Sequence, residues 1–91
     1  MAINRNLGAN NATTEPISFG LTFSGGVNIT LAGYASDSAS MWVVTNFNGT
    51  TVAGFTATFY NSRNVTAPAN TWGLNWVAMD LIKYKIDAIS R

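Results

Sequence analysis

From Ile17 onward the chain alternates, with Ile17, Phe19, Leu21 and Phe23 on one side and Ser18, Gly20, Thr22 and Ser24 on the other. A period of two is the mark of a strand with one buried face, so a strand is expected over residues 17–24. Gly25-Gly26 signals a turn, and Val27, Ile29 and Leu31 then alternate with Asn28, Thr30 and Ala32 in a second strand reaching about Tyr34. A third strand is expected from Met41 to Phe47. Met41, Val43 and Phe47 form one face, and Trp42 and Val44 lie beside Asn46 on the other, so both faces are partly apolar. After the turn signal Asn48-Gly49, the run Val52 to Tyr60 sets Ala53, Phe55, Ala57 and Phe59 against Thr56, Thr58 and Tyr60. Gly54 inside that run marks a bulge or a close backbone approach. The last clear alternation, from Trp72 to Asp80, places Trp72, Leu74, Trp76 and Ala78 on one face.

The segments between and around these runs carry little periodicity. Residues 1–16 mix Asn, Ala, Thr and Gly, and are expected to form an arm without regular structure ahead of a folded unit over 17–80. Residues 35–40 are a small-residue loop holding Asp37, and residues 61–70 are a polar loop holding Arg63. Over 81–91, Leu81, Ile82, Ile86 and Ile89 fit a helical stripe while Ile82, Tyr84 and Ile86 fit a strand face; an extended tail or short strand is favoured. Strands recurring about every ten residues between turn signals point to an antiparallel sandwich or small barrel and not to alternating strands and helices.

Composition narrows what such a fold could do. Only 10% of the 91 residues are charged, and the net charge is +1; a typical soluble domain carries about a quarter charged residues. The solvated surface must therefore be built from Asn, Thr, Ser and Gly. With no Cys and no His, there is no disulfide framework, no thiolate or imidazole metal site and no dyad that uses either, and no cofactor is implied. The carboxylates are Glu15, Asp37, Asp80 and Asp87; Asp37 and Asp80 make the loosest of cases for a paired-acid enzyme. Arg5, Arg63, Lys83, Lys85 and Arg91 are too dispersed for a nucleic-acid footprint. No apolar run is long enough for a membrane helix, and the N-terminus lacks the apolar stretch of a secretion signal. A domain this small has a marginal core, and without staples or metals, oligomerisation is the remaining supplement.

Three ordered pieces then stand out: Ile17-Ser18-Phe19 through Phe23-Ser24-Gly25-Gly26 into Val27 to Leu31; Val43-Val44 with Val52-Ala53-Gly54-Phe55-Thr56; and Leu74-Asn75-Trp76-Val77-Ala78-Met79. Together they resemble the H-type lectin fold, which is itself similar to the receptor-binding C-terminal domains of bacteriophage tail fibres. The resemblance spans residues 17–80 and implies a six-stranded antiparallel β-sandwich, a parallel homotrimer, and sugars held at subunit boundaries. It implies a virion or extracellular setting. In sugar-binding members an Arg on the third strand and an aromatic-His pair after the Gly-Phe motif touch the ligand; here those places fall on Asn46 and on Ser62-Arg63, so the family's stacking aromatic is missing. A loop acid near the subunit boundary corresponds to Asp37.

The candidate ligand residues are therefore Arg63, Trp72, Tyr60, Asn46 and Asp37. An indole matches the C–H face of a pyranose and can donate through its N–H. Trp76 is assigned to packing, and Trp42 to a subunit interface in preference to a ligand, whereas Trp72 and Tyr60 flank the Arg63 loop. The Arg63 guanidinium suits vicinal hydroxyls, phosphate or carboxylate, against the simpler reading of a solvated loop charge. Lys83-Tyr84-Lys85 is read as a charged strand edge that discourages aggregation, and the Asn-x-Thr sites as chance in a chain rich in both.

Two functions follow as expectations. One is a non-catalytic tip domain of a viral fibre, or a lectin-like module, that binds a cell-surface glycan and gains strength from trimerisation. The other is a virion assembly or decoration element that uses the same fold for protein contacts, with the arm over 1–16 docking on a neighbouring protein.

Overall fold

A computed structural model describes residues 1–80 and 87–90 of the chain. Five strands build it: β1 (Ala12–Ser18), β2 (Val27–Ala35), β3 (Val43–Asn48), β4 (Gly54–Asn61) and β5 (Trp72–Asp80), with a short ladder, β6 (Asp87–Ser90), alongside β5. They form two antiparallel sheets in the orders β1-β4-β3 and β2-β5-β6, and the described residues contain no helix. The chain is thus all-β, as expected. In place of six full strands there are five, and the flank of β5 is shared between the four residues of β6 and the N-terminal residues, where Ala2 bridges Gly73. Lys83, Tyr84 and Lys85, and the edge role expected of them, lie outside the described residues.

The inward faces follow the alternation. Phe55, Ala57 and Phe59 on β4 face Trp72, Leu74, Trp76 and Ala78 on β5, all of them buried. Two edge-on aromatic contacts join the sheets: Phe59 to Trp72 with centroids 5.0 Å apart, and Phe55 to Trp76 at 5.7 Å. Pairs of this geometry add about 0.5–1.5 kcal/mol beyond the area they bury. Gly54 meets its expectation of a close approach, since a Cβ there would sit 2.1 Å from the carbonyl oxygen of Ile17.

Four expectations are corrected. The strand placed at 17–24 instead begins at Ala12 and ends at Ser18. Gly20 takes φ 76°, and the N–H groups of Phe19 and Phe23 leave the ladder to donate to Ala53 and Val52, so Phe19 and Phe23 stay buried while Leu21 is exposed. The third strand starts at Val43, with Met41 71% exposed instead of facing inward. The fourth starts at Gly54, leaving Val52 exposed.

The fourth correction concerns residues 1–16, which are part of the fold. Ile3 and Leu7 are buried in the core. The Ile3 N–H donates to Trp72 O at 2.8 Å, and Leu7 and Ala67 exchange backbone bonds of 2.9 Å each way. Buried Asn61 locks the same segment, its Nδ2 donating to the carbonyls of Leu7, Gly8 and Val65. Arg5 closes it, with Nη1 to Glu15 at 2.8 Å, Nη2 to Thr13 and to Thr14 O, and the guanidinium 5.6 Å from the Trp72 ring centroid. Two apolar anchors in a polar stretch give no periodicity, so backbone pairing and one buried amide achieve what the pattern could not announce.

Candidate functional site

The outer face of the β1-β4-β3 sheet is read rung by rung from the register. Val44 lies across from Tyr60, which lies across from Ala12; the next rung is Asn46, Thr58 and Thr14, and the next Asn48, Thr56 and Pro16. Side chains on these rungs stand opposite the core-facing Val43, Phe47, Phe55, Ala57 and Phe59. Beyond the first rung the Ser62 N–H and hydroxyl both reach the Trp42 carbonyl, at 3.2 and 2.7 Å, which ties Trp42 to the end of β4. Trp42, Val44 and Tyr60 are 57%, 58% and 45% exposed. Exposed aromatic and aliphatic side chains clustered at one end of a sheet mark a contact surface more often than scattered ones do.

Around that end the polar candidates collect. Arg63 is exposed and its side chain donates one bond, Nη1 to Ser38 O at 3.1 Å, so it bridges the loop after β4 to the loop before β3. Its Nε and Nη2 have no partner among the described residues. In the same loop Asp37 Oδ1 accepts from the Ser40 N–H and the Ser40 hydroxyl, at 3.0 Å each, and the buried Ser40 hydroxyl also bonds the Thr71 hydroxyl. Asp37 is therefore a loop-forming acid. It makes no ion pair with Arg63, since Arg5–Glu15 is the pair formed among the described residues. Asn46 accepts from the N–H of Phe47 through Oδ1 at 2.8 Å, which leaves its amide N–H groups to the surface.

Four of the five expected site residues, Arg63, Tyr60, Asn46 and Asp37, thus belong to this face or the loops at its end. Trp72 does not. It is fully buried in the other sheet, its ring against Phe59 and under Arg5, and its Nε1 donates to the Arg5 carbonyl at 2.8 Å. No ligand can stack on it. The tryptophan at the surface is Trp42, and the signal for it was present: it shares a period with Val44 and Asn46, opposite Val43 and Phe47. What the sequence hid was that N-terminal residues would cover Trp72.

The alternative concavity on this sheet is less suited to a ligand. It is open, and is lined by Pro16, Ser18, Gly49, Thr51 and Thr56. Thr51 Oγ1 there is engaged with the N–H groups of Ala53 and Gly54 and the carbonyl of Gly54, and Ser18 Oγ accepts from Gly20. Among the described residues no three His, Cys, Asp or Glu side chains gather as a metal site would require, and no helix is long and apolar enough to cross a membrane. Comparison with protein-family models, curated proteins and solved structures returns no match, so the geometry of this face carries the reading.

Proposed function

We propose that this chain is a non-enzymatic recognition module that binds a cell-surface glycan across the outer face of the β1-β4-β3 sheet. The observation that carries the reading is a surface-exposed indole, Trp42, two residues before the Val44 that pairs with the exposed Tyr60, and within one loop of the free guanidinium donors of Arg63. A sugar presents an apolar C–H face and a rim of hydroxyls; the rings supply the platform for the first, and Arg63, Asn46 and Thr58 supply neutral or cationic donors for the second. The surface is nearly free of fixed charge, which suits a neutral polyol. It is also shallow, so single sites would be weak, and strength would come from several copies on one particle. The setting that fits such a module is a virion fibre or another extracellular surface, as the resemblance to lectin-like fibre tips implies.

A panel of immobilised bacterial polysaccharides and oligosaccharides tests this with the wild-type chain, Trp42→Ala and Arg63→Ala. Selective binding that is lost in Trp42→Ala and weakened in Arg63→Ala is the expected result. A wild-type chain that binds nothing on the panel, or a Trp42→Ala variant that binds as well as wild type, contradicts the reading. A second reading, in which the same face contacts a protein of the virion, is favoured by Met41 and Val44, which add apolar area no sugar needs. It predicts no carbohydrate binding and loss of assembly on Val44→Asp.

A further inference from the structure

Each sheet edge exposes the N–H and C=O groups of alternate residues, and unguarded edges pair with other chains. On β4 the Asn61 N–H points to Asn11 while the Ser62 N–H points to Trp42, so the odd-numbered residues of β3 and the even-numbered residues of β1 face outward. Both edges are guarded in part, although the N–H groups of Thr45 on β3 and of Ala12 and Thr14 on β1 have no partner among the described residues. On β3, the outward N–H of Val43 donates to Ser40 O at 3.1 Å and that of Phe47 to Asn46 Oδ1 at 2.8 Å. On β1, Pro16 has no N–H and the outward carbonyl of Thr14 accepts from Arg5 Nη2 at 3.0 Å.

The far side of β5 is covered too. Leu74 N–H donates to Met1 O at 3.0 Å, Ile3 N–H donates to Trp72 O at 2.8 Å, and β6 pairs along residues 77–80. The even-numbered residues of β5 face that side, so its odd-numbered residues bond the even-numbered residues of β2. Val27, Ile29, Leu31, Gly33 and Ala35 consequently turn their N–H and C=O groups outward, and none of these groups has a partner among the described residues. From Val27 to Ala35 there is no proline and no charge. Thr45 of β3 lies under the inner face of Gly33, not over its edge, and Val27, Ile29 and Leu31 are only half buried.

We infer that this edge pairs with β2 of a second copy of the chain, antiparallel and related by a two-fold axis at Leu31. That register matches every outward group: Leu31 with Leu31 of the second copy, Ile29 with its Gly33, and Val27 with its Ala35, each pair exchanging two backbone bonds. Side-chain size favours it as well, because a large residue meets a small one at the two flanking pairs. An axis at Ile29 would instead oppose Val27 to Leu31 and leave Gly33 and Ala35 unmatched. The strand is uncharged, so two copies meet without like-charge repulsion. The ladder is isologous and closes at two copies, which replaces the three-fold assembly implied by the lectin resemblance. Because β2 lies in the other sheet, the Trp42 face stays open in both copies, and the inference stands whether or not that face binds a glycan.

Sedimentation of the full chain across high to low micromolar concentration, with residue-resolved amide exchange at each end, tests this directly. The expected result is a dimer that dissociates on dilution, with the amides of Ile29, Leu31 and Gly33 protected only in the dimer and those of Thr30 and Ala32 protected throughout. Leu31→Pro, which removes the N–H at the axis from a strand edge that tolerates proline, is expected to remain monomeric with an unchanged far-ultraviolet spectrum. Should that variant fail to fold, exchange in the unaltered chain still decides. A monomer at every concentration, a trimer, or a dimer whose Ile29 and Leu31 amides exchange freely overturns the inference.

Discussion

Residues 1–11 and residues 41–44 invert the usual relation between hydropathy and burial. The first stretch is mostly Asn, Gly and Ala, yet it is pinned to the core at Ile3 and Leu7; the second is Met-Trp-Val-Val, yet Met41, Trp42 and Val44 stand in solvent. The difference is one of partners. The N-terminal segment finds open backbone groups on Trp72, Leu74 and Ala67 and a buried amide, Asn61, that donates to the carbonyls of Leu7 and Gly8. Residues 41–44 lie at the end of a sheet whose other face is already filled by Phe55, Ala57 and Phe59, so Val43 packs in part against that core while Met41, Trp42 and Val44 find nothing among the described residues to cover them. A polar stretch became scaffold, and an apolar stretch became surface available for recognition.

The contrast can be broken most severely at Trp72. Trp72→Ala removes the ring that Phe59 and Arg5 pack against and the indole N–H held by the Arg5 carbonyl; a loss of about 3–5 kcal/mol is expected from such a cavity. In a domain this small that is most or all of the stability, and urea denaturation would show it. Asn61→Ala comes next, because it takes the donor from the part-buried Val65 carbonyl and one of two donors from the carbonyls of Leu7 and Gly8, which keep the N–H groups of Ala67 and Asn11. About 1–3 kcal/mol should go, and amide exchange should rise at Leu7 and Ala67 before it rises in β4.

Arg5→Ala is milder. Its ion pair with Glu15 is partly exposed and worth at most about 1 kcal/mol, and its position over Trp72 adds about 0.5–1 kcal/mol. The expected outcome is a melting midpoint lowered by several degrees and a salt dependence smaller than wild type. Trp42→Ala marks the other end of the comparison. Its stability should stay within about 0.5 kcal/mol of wild type in the same denaturation assay, since the side chain supports nothing beneath it.

How much of this could be seen in the chain beforehand differs by region for a physical reason. The inward residues of β4 and β5 obey strict alternation because both strands lie at the centre of their sheets, covered on one face by the other sheet. At β1 the alternation misled. Phe19 and Phe23 are buried through a bent loop, while Thr13 and Glu15, facing the same way as Ile17, need no apolar character because Arg5 covers them. Of the candidate ligand residues, Arg63, Tyr60, Asn46 and Asp37 were placed near one another by their loops and rungs. Trp72 was misplaced because residues that cover it come from the opposite end of the chain, a contact no local pattern encodes. Asn61 carried no signal at all, being one more Asn in a chain full of them.

Intrinsic fluorescence tests glycan binding at Trp42 most directly, because Trp72 and Trp76 are buried and Trp42 alone of the three tryptophans is exposed. Titrating the folded chain with the oligosaccharide that binds best in the panel should shift and partly shield the exposed component of the emission from acrylamide, saturating with the binding isotherm. Binding that leaves both the emission and its quenching unchanged would contradict the account.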